Sequence, residues 1–153
     1  MLKLLRALIQ ASVIATLATG CAISTPYRQL SLPTGNVVVM LTHAMLDNAQ
    51  RAPFDEYTRR IVAALPQQPG LIGYSVRTAP LGNEAWTLTV WTDSASLSQF
   101  VRSDLHQRAV KAGAASLVGS RFGRFEIPAS RLPLSWTDAL QMLDEAPDRF
   151  RRK

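Results

Sequence analysis

The stretch NVVVMLTHAM, residues 36–45, constrains the fold more than any other. It is β-branched and almost continuously apolar, which reads as a strand. Val37, Val39, Leu41 and His43 fall on one face, and Val38, Met40 and Thr42 on the other. Both faces are apolar near the start, so both need cover. A helix layer on one side and a second subunit on the other would supply it, which predicts a homodimer.

The rest of the chain alternates between two periods. PFDEYTRRIVAALP, 53–66, reads as a helix: Pro53, Asp55 and Glu56 suit its first turn, and Phe54, Tyr57, Ile61 and Leu65 form one apolar stripe. LIGYSVRT, 71–78, and AWTLTVWT, 85–92, alternate as strands around the turn-forming APLGNE and predict an antiparallel hairpin. DSASLSQFVRSDLHQRAVKAGAASL is a second helical region, capped by Asp93 or Ser94, with Leu97, Phe100, Val101 and Leu105 as its buried stripe. SRFGRFEIP, 120–128, is a fourth strand. LPLSWTDALQMLDE is a terminal helix, with Ser135 and Asp138 placed as a capping box. The order β-α-β-β-α-β plus a helix is an α+β, ferredoxin-like arrangement.

The N-terminus has a different character. Lys3 and Arg6 precede the apolar run ALIQASVIATLATGCAI, which reads as a secretory signal over residues 1–20. LATGC places small residues before Cys21, the only cysteine of the chain. This resembles the lipobox of bacterial lipoproteins, although Ala18 stands where Leu is usual and Leu17 lies one place further back. An ordinary signal cut near the same small residues is the alternative. With no second cysteine there is no disulfide partner, so lipidation of Cys21 and a place in the bacterial cell envelope are expected. The membrane would then be a partner through the lipid anchor. Residues 21–35 carry two prolines and no clear period, and read as a tether. Without residues 1–20 the chain has fifteen basic and eleven acidic side chains, a net charge of +4. Four of those cations lie in the final RFRRK, a solvated tail or a contact for anionic headgroups. Basic and aromatic residues are not interleaved elsewhere, which argues against nucleic acid. The expected divisions are a signal at 1–20, a tether at 21–35, the α+β domain at 36–128, and the terminal helix and tail at 129–153.

The element order resembles the dimeric α+β-barrel superfamily of antibiotic-biosynthesis and haem-degrading monooxygenases. So do SVRT, TLTVWTDSASLSQFVRSDLH and the Pro-Gly before the second strand. The resemblance covers about residues 36–128. Its most specific part is a strand ending in Val90-Trp91, a polar cap, and a helix with Phe100 and Ser103-Asp104. It implies two sheets facing each other as a barrel, with a pocket in each subunit between sheet and helices. Trp91 matches a pocket-lining Trp of the haem-degrading members. Their iron-ligating His aligns with Val110, which cannot bind iron; His106, one turn back on the same helix face, is conceivable as a shifted ligand, so no cofactor is expected and haem is the disfavoured alternative.

The expected pocket residues are His43, Tyr74, Trp91, Phe100 and His106, with Trp86 a further aromatic side chain of the right type. His106 has two readings. In one straight helix it falls about 165° from the centre of the Leu97–Leu105 stripe and faces solvent. If Ser103-Asp104 caps a second helix, Leu105, Ala109 and Ala112 form a new stripe and His106 flanks the pocket. His43 is either a hydrogen-bonded strand-end residue or a pocket group. Two histidines without an acid cluster make a poor metal site, since zinc usually takes three or four protein ligands. Phosphate-loop, GxSxG and HExxH motifs are absent from the sequence. The expected function is binding of a small aromatic molecule, with or without its metal-free oxidation. A structural dimerisation module of the envelope is the alternative.

Overall fold

The computed structural model describes residues 22–79, 81 and 83–146. Cys21, the run before it and the tail from residue 147 lie outside the described residues, and with them the signal, lipidation and tail readings. The elements are β1 (Ile23–Ser24), β2 (Arg28–Gln29), β3 (Asn36–Leu46), α1 (Arg51–Ala64), β4 (Leu71–Ala79), β5 (Glu84–Trp91), α2 (Ser94–Arg102), α3 (Asp104–Gly113), β6 (Leu117–Pro128) and α4 (Trp136–Glu145). They form one antiparallel sheet in the order β1-β4-β5-β3-β6, with β2 also pairing on β4. The core of the fold is the expected β-α-β-β-α-β with an added C-terminal helix.

β3 is the central strand and is covered on both faces. On one side Val38 joins Leu65, Leu71, Tyr74, Trp91, Leu97 and Phe100 under the first three helices. On the other, Val37, Val39 and Leu41 join Ile72, Leu88, Val90 and Ile127, closed by Leu134, Ala139 and Leu143. Val39 and Leu41 keep only 0% and 2% of their surface exposed within a single chain. The premise of the expected homodimer, that one subunit can cover only one face, therefore does not hold. The chain covers the second face itself, because the stripe Trp136, Ala139, Leu140, Leu143 repeats at three and four residues.

Residues 22–30 are more ordered than a tether. β1 and β2 pair with the outer edge of β4, Ile23 opposite Thr78 and Arg28 opposite Tyr74. Thr25 keeps the ladder going between them: its N–H donates to the Val76 carbonyl at 2.8 Å, and its Oγ1 accepts from Val76 N at 3.0 Å. The sequence signal was weak because each strand has two residues, too few for a period. Covering β4 removes an open edge that could recruit another strand. Tyr27 lies over the same face as α4, and burial pushes its phenol pKa up to about 12.

Gly73 makes room for Tyr27, since a Cβ there would run into the phenol oxygen and the Arg28 carbonyl. Gly73→Ala should lower stability by about 1–3 kcal/mol, the usual cost of overpacking, read as a lower urea midpoint. In a Gly73→Ala/Tyr27→Ala double mutant the two losses should not add. Additive losses would show that Tyr27 does not rest on Gly73.

Candidate functional site

The α1 stripe explains where the site lies. Phe54, Tyr57, Ile61 and Val62 face the sheet, yet α1 contains no fully buried residue. The helix stands off the sheet over a cavity of about 440 Å³. Its floor is the face of β3, β4 and β5 that carries Met40, Thr42, Val76, Thr87 and Thr89. Its roof is α1, and α3 and Phe100 close a side. The volume falls in the range of small-molecule sites. An apolar cavity of roughly 150 Å³ holds benzene, so this one admits about two or three fused rings. Thr42 and Thr87 stand directly opposite each other on β3 and β5, placing hydroxyls under mostly apolar walls. The sequence reading missed these threonines. Their signal was polar side chains on a strand face that helices cover.

Ser103 decides the position of His106. Its backbone is extended at φ −60 and ψ 148, which ends α2, and its Oγ accepts from His106 N at 3.3 Å to start α3. The second helix is thus turned relative to the first, and His106 faces the cavity. The cavity stripe on α3 is His106, Ala109, Val110 and Gly113; Leu105 and Ala112 are not on it. The His106 ring meets Phe100 edge-on at 5.1 Å. Its Nδ1 is buried and has no hydrogen-bond partner. Burial lowers its pKa from the ordinary 6.5. In the neutral ring one nitrogen keeps an open lone pair, so the site holds an acceptor in an apolar wall.

The other expected pocket residues separate into three positions. Tyr74 and Phe100 line the cavity with His106, and the Tyr74 hydroxyl accepts from the Arg28 guanidinium at 3.3 Å. Trp91 is not on the wall. It is fully buried behind Phe100, ring centroids 5.1 Å apart, and its Nε1 donates to Thr89 Oγ1 at 2.9 Å. His43 is on the opposite face of the sheet, with Trp86. The two rings stack at 4.7 Å, and His43 Nε2 lies 3.1 Å from Glu84 Oε1. Alternation explains the split: β3 pairs His43 with Trp86 and Val38 with Trp91, five residues apart and so on opposite faces.

Val110 lines the cavity and offers no donor, and among the lining residues no Arg or Lys is available for the propionates of a haem, while Asp55 is acidic. Among the described residues no group of three His, Cys, Asp or Glu is placed to hold a metal ion.

The lowered pKa of His106 fixes a pH dependence. Above pH 6.5 the ring is neutral in both folded and unfolded chains and contributes no slope. As pH falls through 6.5 the unfolded chain takes up a proton that folded His106 resists, so stability drops. Urea unfolding between pH 7.5 and pH 5, roughly spanning the ordinary His pKa, should show this loss, and His106→Gln should reduce it. Equal slopes in both proteins would contradict a buried neutral ring.

Residues 37–112 match the sequence profile of the family described as antibiotic biosynthesis monooxygenase. No curated protein matches the chain. The fold is similar to that of SnoaB, a cofactor-independent oxygenase from Streptomyces nogalater, at TM-score 0.52 and 22% identity over 64% of this chain and 98% of that one. It is also similar to LmHde, a haem-degrading enzyme from Listeria monocytogenes, at TM-score 0.54 and 14% identity over 70% and 71% of the two chains. A candidate monooxygenase from Lactobacillus acidophilus gives TM-score 0.54 and 11% identity over 67% of this chain, which spans 51% of that protein's length. Over residues 37–112, from within β3 to within α3, the chain is similar to that family, and it shares the fold of these solved structures.

Proposed function

We propose that the domain binds a small hydroxylated aromatic molecule in the cavity beneath α1 and oxidises it with dioxygen, without a metal. His106, which lines the cavity and whose buried Nδ1 has no hydrogen-bond partner, carries this reading. A ring hydroxyl can donate to that nitrogen, which orients the ring and increases its electron density. Phe100 and Tyr74 offer aromatic contact, and the Thr42 and Thr87 hydroxyls lie within the same cavity for a second oxygen. The chemistry balances without further reductant. A hydroxyarene and dioxygen give a quinone and water: one oxygen atom enters the ring, the other leaves as water, and the substrate supplies all the electrons. The likeness to a cofactor-independent oxygenase supports this choice over haem chemistry.

A two-ring probe such as 1-naphthol tests the reading. It should bind saturably by calorimetry, and His106→Ala should weaken it by about 0.5–1.5 kcal/mol, the net value of one hydrogen bond. Ala109→Phe, which fills the cavity, should abolish binding while the protein stays folded. Oxygen uptake coupled to quinone formation would support oxidation. Binding of hydroxyarenes without uptake would leave a binding module, and no binding of any hydroxyarene would contradict the reading.

We also propose that the domain is held in the bacterial cell envelope by a lipid on Cys21. LATGC before the sole cysteine supports this reading. Mass spectrometry of the protein from membranes should find a diacylglyceryl group on an N-terminal Cys21. A mature chain starting at Ala22 or later would contradict it.

A further inference from the structure

We propose that Thr89 donates a hydrogen bond to a second oxygen of the bound arene, and that Trp91 fixes the Thr89 hydroxyl in that role. The inference rests on the reading of the cavity as a hydroxyarene site and names what else such a ligand carries: an acceptor oxygen, as in a ketone. Thr89 is on β5, opposite Met40 on β3 and Tyr74 on β4, and all three line the cavity. It is buried, at 9% exposure, so its hydroxyl needs a partner in the protein or in the cavity.

The partner it has in the protein is a donor. Trp91 Nε1 lies 2.9 Å from Thr89 Oγ1. An indole N–H only donates. The Thr89 oxygen is therefore the acceptor in this bond, and its own proton must find another acceptor. Among the described residues none is placed to take it. The remaining direction is the cavity that Thr89 lines. Thr42 and Thr87, on the same floor, have no such constraint. No side-chain bond among the described residues holds either hydroxyl, so each can turn to donate or to accept. Thr89 is the floor hydroxyl whose polarity the protein sets.

One stack of rings fixes both polar contacts. Trp91 is fully buried, packs against Phe100 with centroids 5.1 Å apart and holds Thr89 through its nitrogen. Phe100 in turn meets the His106 ring edge-on at 5.1 Å. The site thus offers an acceptor, His106 Nδ1, and a donor, the Thr89 hydroxyl, from two different elements, α3 and β5. A ligand with a hydroxyl and a carbonyl satisfies both. One with a donor at the Thr89 end sets two protons against each other and leaves both without an acceptor, at the cost of an unmade buried hydrogen bond. Thr89 is then a specificity-determining residue, and Trp91 a positioning residue that acts through it.

Two probes on one frame test this: 5-hydroxytetralin, which has the hydroxyl alone, and 5-hydroxy-1-tetralone, which adds a carbonyl. By calorimetry at neutral pH the ketone should bind more tightly, by about 2- to 12-fold, the net value of one hydrogen bond. Thr89→Ser should keep that preference. Thr89→Val, which removes the hydroxyl but keeps the branched shape, should abolish it while 5-hydroxytetralin still binds. Should Thr89→Val not fold, with the indole N–H left bare, Trp91→Phe is read instead. It keeps a ring against Phe100 and frees the Thr89 hydroxyl to turn, so the preference should shrink. Three results would overturn the proposal: equal binding of the two probes by the unaltered protein, a Thr89→Val protein that weakens both probes alike, or a ketone preference that survives Thr89→Val or Trp91→Phe in full. Failure of both probes to bind would instead contradict the cavity reading and take the proposal with it.

Discussion

The double burial of β3 is the constraint from which the rest follows. A central strand with valines on alternating sides cannot leave either side wet, since burying each such side chain is worth about 1.5–3 kcal/mol. The chain meets the demand with two layers of different quality. The layer of α4 and Tyr27 is tightly closed on Val37, Val39 and Leu41. The layer of α1, α2 and α3 is closed at one end, around Val38, Trp91 and Phe100, and open at the other. The closed side backs the sheet, and the open side supplies the cavity.

That opening has an energetic meaning. An amphipathic helix whose apolar stripe rests half-buried over a cavity forgoes dispersion contacts that a packed core would make. A ligand filling the space recovers them, and binding only to the folded state stabilises it by mass action. The stack Trp91, Phe100, His106 links this gain to the scaffold. Trp91 is locked by Thr89 and supports Phe100, whose ring meets His106. Trp91 thus acts from behind the wall, as a positioning residue for the aromatic side of the cavity.

Much of the fold was legible because its elements are long enough to show a period. The three strands β3, β4 and β5, the α1 stripe and the Ser135 cap are all readable from spacing. The helix break was readable as one of two alternatives, and the Ser103 cap selects it. Three features were not legible, each for a physical reason. β1 and β2 are too short to show alternation and are fixed by pairing with β4. The second cover of β3 cannot be read from spacing, because a stripe on α4 says only that the helix is buried, not on what. Residue type alone suits His43 to the pocket, but its parity with Leu41, once strand pairing is known, sets it on the far face. The cavity itself is a gap between layers, and gaps have no sequence pattern.

The central claim is that a ligand's hydroxyl meets the bare nitrogen of His106. Nitrogen-15 NMR of the imidazole, with 1-naphthol added to saturation at neutral pH, reads that atom directly. Nδ1 should move from the position of an unbonded acceptor toward that of a hydrogen-bonded one, with the ring still neutral. An Nδ1 signal unchanged while the cavity is filled would contradict the account.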